Sequence, residues 1–203
     1  GTQTRDIASV MDELLSGVGA FGGFSRHGLF TVGLVAAPEG QPALELTEED
    51  IISLERTPLP AALEPVVWRA MVGWQQNYTV QADLAASVSA ARRTFAAEPQ
   101  RVAAAEDAAI KSRQLLAREY GPVRGLYAAE TDAQAEADRL FDLWSSGRAP
   151  YRITARPKAM ALNIGNVAQV THRRYGLHNG KAARVLGHAV SGVRNQVELT
   201  VLI

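Results

Sequence analysis

The residues best equipped for chemistry are four histidines, His27, His172, His178 and His188. Neutral imidazole is the commonest metal ligand in proteins, and three such side chains suffice for a metal centre. Their spacing does not serve that end. No two stand four residues apart on a helix, and none belongs to a His-Glu-x-x-His phrase. His172 and His188 fit neighbouring strands, and ordinary strand and turn roles are expected for all four. Carboxylates gather at Asp12 and Glu13, at Glu48, Glu49 and Asp50, and at Glu106 and Asp107. Hydrolysis by an acid and a base needs two carboxyls facing each other across a cleft, one with a raised pKa. These acids are adjacent in sequence, and two of the groups stand near helix starts, where a negative charge meets the positive end of the helix dipole. A serine nucleophile calls for a Gly-x-Ser-x-Gly elbow. Ser25 lies in Gly23-Phe24-Ser25-Arg26-His27 and lacks the second glycine, and Ser191 falls on an expected loop. No catalytic, cofactor-binding or metal-binding residue is assigned, no cofactor is expected, and the chain is expected not to be an enzyme.

Recognition chemistry is equally sparse. Gly17-Val-Gly-Ala-Phe-Gly22 imitates a dinucleotide-binding string, but it follows a helix and precedes a strand, the reverse of what that motif requires. Gly180-Lys181 lacks the upstream glycine and the following Ser or Thr of a phosphate loop. Basic and aromatic residues mix at Arg92-Arg93-Thr94-Phe95 and at His172-Arg173-Arg174-Tyr175, a pairing that can stack bases. With 21 basic and 21 acidic residues the formal charge is zero, which gives no electrostatic reason to expect nucleic acid as the main partner. It also leaves little repulsion to oppose self-association. Asn77-Tyr78-Thr79 matches a glycosylation string without any secretory context. Trp68, Trp74 and Trp144 suit a sugar-binding groove, but large aromatics serve more often as core or interface anchors.

The positioning elements follow from composition and period. The 203 residues suit one large domain or two small ones, and 47% hydrophobic residues supply a real core. There is no cysteine, hence no disulfide, thiolate zinc site or cysteine nucleophile. No run of eighteen apolar residues is present to span a membrane as a helix, and no basic-then-apolar start suggests a signal peptide. Gly1 is not a natural initiator and Ile203 closes an apolar strand, which points to a piece of a longer protein.

Thr4 to Ser16 reads as a helix with Ile7, Val10, Met11, Leu14 and Leu15 on one face, Thr4 as its cap and Gly17 and Gly19 at its end. A hairpin follows, from Gly19–Ser25 through a turn at Arg26-His27-Gly28 to Leu29–Val35. Thr47 with Asp50 three residues later resembles a capping box opening a short turn, and Ile52–Arg56 is the next strand. Val66–Tyr78 is a longer strand with Val66, Trp68, Ala70, Val72 and Trp74 inward. Leu84–Ala97 and Asp107–Glu119 are rich in helix formers, with a short strand over Arg101–Ala105 between them. Pro122–Tyr127 reads as strand. Thr131–Ser145 is the clearest helix, capped by Thr131, with Ala135, Ala137, Leu140, Phe141 and Trp144 at helical spacing and Gly147 at its end. Tyr151–Pro157 returns to strand. Three regions are expected: residues 1–78 as a helix plus hairpin and strand lobe, 79–148 as a helix-rich connection, and 149–203 as an antiparallel sheet joined by strands from earlier in the chain.

The last forty residues are the most informative. Val167, Gln169 and Thr171 alternate with Ala168, Val170 and His172, and Val197, Leu199 and Val201 alternate with Glu198, Thr200 and Leu202. Period two means strands with one buried face. Gly176, Asn179-Gly180 and Gly187 read as the joints between them. The fold class is therefore α+β: antiparallel β-rich lobes, with hairpins and a small barrel-like sheet at the C-terminal end, and several helices between them.

This block resembles the closing segment of tail-tip proteins (baseplate hub or host-specificity proteins) of long-tailed bacteriophages and prophages. Ile164-Gly165-Asn166-Val167 matches the family's strand start, although an acidic residue commonly stands where this chain has Asn166. Arg174-Tyr175-Gly176-Leu177, Gly180-Lys181 and Arg184-Val185-Leu186-Gly187 match the turn, hairpin and strand that follow. The order of elements from about Ile7 onward is similar too. The resemblance implies a structural protein of the virion, made in the bacterial host cytoplasm, that helps close the tail tube and supports host attachment. It also implies partners: copies of itself in a homotrimer, neighbouring tail-tube and tail-tip proteins, and the host cell surface. A carbohydrate-binding or cell-wall-degrading module of a tail protein is the alternative, and a scaffold module of similar architecture outside phages is a third.

Overall fold

The computed structural model describes residues 6–25 and 28–203. In chain order its elements are helix α1 (Ile7–Gly17), strands β1 (Ala20–Phe24), β2 (Phe30–Leu34), β3 (Leu44–Leu46), β4 (Ile51–Arg56) and β5 (Val67–Trp74), then helix α2 (Ala90–Ala97), β6 (Arg101–Glu106), α3 (Ala108–Arg113), β7 (Arg118–Arg124) and α4 (Glu130–Trp144). The chain closes with β8 (Pro150–Ala155), a 3-10 turn over Pro157–Ala161, β9 (Val167–Val170), β10 (Lys181–Ser191) and β11 (Gln196–Leu202). This is an α+β fold. The expected cap at Thr4 and turn residues Arg26 and His27 lie outside the described residues. Two compact units form: the residues up to Phe21 with Pro65–Ser145, and Gly22–Glu64 with Ser146–Ile203.

The second unit is built on a six-stranded sheet of order β3-β9-β10-β11-β8-β4, antiparallel except for the parallel β3–β9 pair. Its two edge strands are consecutive in the chain. The link from Leu46 to Ile51 spans at most about 18 Å, whereas six flat strands would hold their edges about 24 Å apart. The sheet therefore curls, and the barrel-like form expected of the C-terminal strands follows from that connection. Asp50 clasps the link: its Oδ2 accepts hydrogen bonds from Thr47 N (3.0 Å) and Thr47 Oγ1 (3.2 Å) and pairs with Lys158 Nζ at 2.7 Å. Inside the curl the alternation expected from the sequence is met. Leu54, Ile153 and Leu199 stand side by side on β4, β8 and β11, and Tyr151 with Val201 forms the next row. All belong to one core with Val170, Ala183, Val185 and Val197. Gly187 is a correction. It is no joint, because β10 runs on to Ser191 and Gly187 sits at a register shift against β11. The joint is the tip after Ser191, where Asn195 takes φ +50. Gly176 and Gly180 (both φ +71) do turn the chain between β9 and β10, a conformation that costs glycine little.

The first unit places α4 on a three-stranded sheet of order β6-β5-β7, β5 running antiparallel to β6 and parallel to β7. Val66, Trp68, Ala70, Val72 and Trp74 are buried as expected, but the strand stops at Trp74 instead of Tyr78, where Gln75 turns with φ +45. The helix-rich middle is shorter than its composition suggests. The run from Leu84 is helical only from Ala90, where Ser89 Oγ accepts from Arg92 N, and the run from Asp107 only to Arg113. Propensity is a weak prior, and a run without a core-facing stripe is not held as helix. In α4, Thr131 is not the cap; Ala129 holds that position without a side-chain bond. The buried stripe is Ala133, Glu136, Ala137, Leu140 and Leu143, rotated from the one expected, and Ala135 is exposed. An inward glutamate hid the true stripe.

Candidate functional site

The structure disperses the residues that carry chemistry. His172 Nδ1 accepts a hydrogen bond from Arg174 N at 3.0 Å, which fixes its ring within the turn after β9. His178 is exposed in the same loop, and His188 lies on β10 opposite Leu199, its Nδ1 buried without a hydrogen-bond partner among the described residues. His27 lies outside them. No group of three or more potential metal ligands occurs among the described residues. Five of the seven acids are engaged separately. Glu13 pairs with Arg124 (3.4 Å), Glu48 with Arg173 (3.6 Å) and Glu106 with Arg69 (3.0 Å). Asp107 Oδ1 accepts from Ala109 N at 2.8 Å and so caps α3. The hydrogen bond from Lys158, assisted by Thr47, holds the Asp50 carboxyl below the usual carboxylate pKa.

Glu136 is the one charged side chain in the buried class among the described residues. Two Arg139 nitrogens reach its two oxygens at 2.6 Å, a bidentate pair three residues apart on α4. Paired carboxylates of this kind are fixed as acceptors and are poor general acids. Burial, with Glu136 nearby, pushes the Tyr120 and Tyr127 hydroxyls above the usual tyrosine pKa. The cluster accordingly reads as a charge-neutral prop between α4 and the sheet, which sequence inspection missed because nothing in the local phrase marks Glu136 as inward.

The aromatic and basic residues singled out for recognition are also engaged. Trp68 and Trp74 are buried. Lys111 stands over the Trp68 ring at 4.1 Å, and Arg101 lies 5.2 Å from Trp74 and 5.1 Å from Phe95, with Arg92 also 5.3 Å from Phe95. These cation–π contacts use the ring faces a base or sugar would need. Trp144 is half-buried near the end of α4.

The β1–β2 hairpin carries an exposed apolar face. Phe30, Val32 and Leu34 alternate along β2 and are 46%, 54% and 49% exposed, and Phe24 on β1, edge-on to Phe30 at 5.5 Å, is 70% exposed. A lone two-stranded hairpin is marginal in water, and a contiguous apolar stripe on one is the mark of a surface meant to be covered. Separately, α1 leaves Ile7 and Leu14 exposed on the face expected to be buried.

No protein-family model matches the sequence, and no curated protein does. Solved structures match. A tail protein from Neisseria meningitidis MC58 aligns with TM-score 0.52 and 14% identity over 96% of this chain and 54% of that one. The 43 kDa tail protein of prophage MuSo2 from Shewanella oneidensis aligns with TM-score 0.49 and 10% identity over 97% of this chain and 50% of that one. A chain from the virion of a native gene transfer agent particle aligns with TM-score 0.49 and 13% identity over 80% of this chain and 32% of that one. This chain thus spans about half the length of the two tail proteins. At 14% identity the Neisseria match establishes a shared fold.

Proposed function

We propose that this chain is a structural part of a phage or prophage tail, a segment of a tail-tip or baseplate hub protein that assembles with copies of itself and with neighbouring tail proteins in the virion. Two supports differ in kind. The fold shared with a tail protein favours the location. The stripe of Phe24, Phe30, Val32 and Leu34 carries the assembly role, because it is apolar and about half or more exposed. Permanent subunit contacts bury on the order of 2,000 Å² or more and resemble a cut core, and such a stripe suits that chemistry. The resemblance in the C-terminal block favours three copies. No chemical step belongs to this reading, and support of host attachment is part of it only through the assembled tip.

Light scattering coupled to size exclusion, on a chain extended on both sides, tests it. The expected mass is that of a trimer, and Phe30→Asp is expected to reduce it to a monomer with an unchanged circular dichroism spectrum. A monomer at high concentration with the flanking chain present would count against the proposal.

A further inference from the structure

One end of the six-stranded sheet encloses a half-open cavity of about 630 Å³. The end of β4 gives it Arg56, the link before β8 gives Arg148, and the start of β8 gives Tyr151; the β9–β10 turn and the start of β10 bring Tyr175, Leu177 and Lys181. That volume falls within the range of small-ligand sites. Three basic side chains line it and no Asp or Glu side chain does. Arg56 reaches Glu64 at 3.3 Å, and Glu64 is not part of the lining. Lys181 is exposed and has no ion-pair partner among the described residues. The Lys181 ammonium and the Arg56 guanidinium are charged hydrogen-bond donors suited to an anion.

The aromatic part is equally specific. Tyr175 takes φ +60, rare for an aromatic residue, and precedes Gly176 at φ +71. Bulky side chains hold such a conformation only where the surroundings impose it, and such positions cluster at binding sites. The turn sets the Tyr175 ring edge-on to Tyr151 at 5.4 Å, and Tyr175 stays 47% exposed beside the cavity. Tyr151 is buried, and Arg56 stands opposite it in the register of β4 and β8. A tyrosine offers an apolar ring and a polar tip, which suits a body with C–H faces and hydroxyls. Guanidinium and ammonium groups suit the carboxylate or phosphate on that body.

We propose that this cavity binds an anionic saccharide, a sugar acid or a sugar phosphate, with Lys181 and Arg56 on the charge and Tyr175 against the ring. The site is distinct from the hairpin stripe and stands or falls separately from assembly. It also differs from a groove built on the tryptophans, two of which are core.

Calorimetric titration tests it with glucuronate, glucose 6-phosphate, glucose, inorganic phosphate and a Glu-rich peptide. The chain carries a neutral extension after Ile203, because that residue lines the cavity and a terminal carboxylate there would compete. Both acidic sugars are expected to bind about tenfold or more tightly than glucose or inorganic phosphate, a tenfold step being about 1.4 kcal/mol. Lys181→Gln is expected to weaken them about tenfold. Tyr175→Gly, which retains the backbone angle and deletes the ring, is expected to weaken them with melting unchanged or raised. Acidic sugars that bind no better than glucose, or equally well to both variants, would overturn the proposal. So would inorganic phosphate as tight as the sugar phosphate, or a peptide tighter than either sugar.

Discussion

The curled sheet and the β1–β2 hairpin are written in the same two-residue alternation, and their apolar faces meet opposite ends. In the sheet, Leu54, Ile153 and Leu199 stand abreast on three strands and face inward, Ile153 and Leu199 with no exposure at all. In the hairpin, Phe30, Val32 and Leu34 hold the same spacing along one strand and stay about half exposed. The difference is the number of strands and the return of the edge. Six strands joined by the short link from Leu46 to Ile51 curl on themselves and supply their own cover. Two strands cannot supply their own cover. An alternating apolar strand therefore signals a buried face without telling whose atoms bury it.

The hardest test of that contrast is Leu199→Asp. A carboxylate in the middle of the core is expected to cost more than about 4 kcal/mol and to abolish cooperative thermal unfolding followed by circular dichroism. The matched change at Phe30 is expected to shift the melting of the single chain by less than about 0.5 kcal/mol, since that side chain already meets water. Unaltered melting in the Leu199 variant would show the strand phase to be wrong.

Truncations sharpen the contrast on a finer scale. Ile153→Ala is expected to cost about 2–5 kcal/mol by chemical denaturation, through lost burial and a residual cavity. Val32→Ala is expected to stay within about 0.5 kcal/mol in the monomer and to weaken only self-association. Equal losses at both sites would mean that the hairpin is covered within its own chain.

The smallest effect concerns the clasp that lets the sheet curl. The folded carboxyl of Asp50 lies below its ordinary pKa of 3.8, chiefly through Lys158. Its stabilisation is therefore complete above that value and lost as the pH falls through the lowered folded one. Asp50→Asn is expected to be less stable than the native chain near neutrality, with the gap closing below pH 3.8 in denaturant titrations across pH. A gap that widens in acid would show that Lys158 does not hold the carboxylate.

Much of this molecule was legible from residue order. The strands around Ile153 and Leu199 announce themselves by alternation, and β5 by its row of Val, Trp and Ala. What misled were cues that depend on neighbours. The two runs rich in helix formers are helical only in part, because their ends before Ala90 and after Arg113 have no core to face. Thr131 has the chemistry of a cap, but the helix begins one residue earlier. Glu136 is charged and buried because Arg139 lies one turn along the same helix, and a pattern of apolar positions passes over it. Gly187 suggested a joint and proved to be a shift of register within one long strand. The hairpin itself was visible, but not its bare face. The cavity was invisible, because Arg56, Tyr151, Tyr175 and Lys181 come from separate segments and meet only where strand ends converge.

Local period and turn chemistry thus determined which segments became strands and helices, since those preferences act over a few residues and are written in adjacent side chains. Tertiary structure alone decided which apolar faces found cover and which basic groups came to share one cavity. Curling of the sheet depends on the reach of a four-residue link across strands far apart in sequence, and no local pattern encodes that distance.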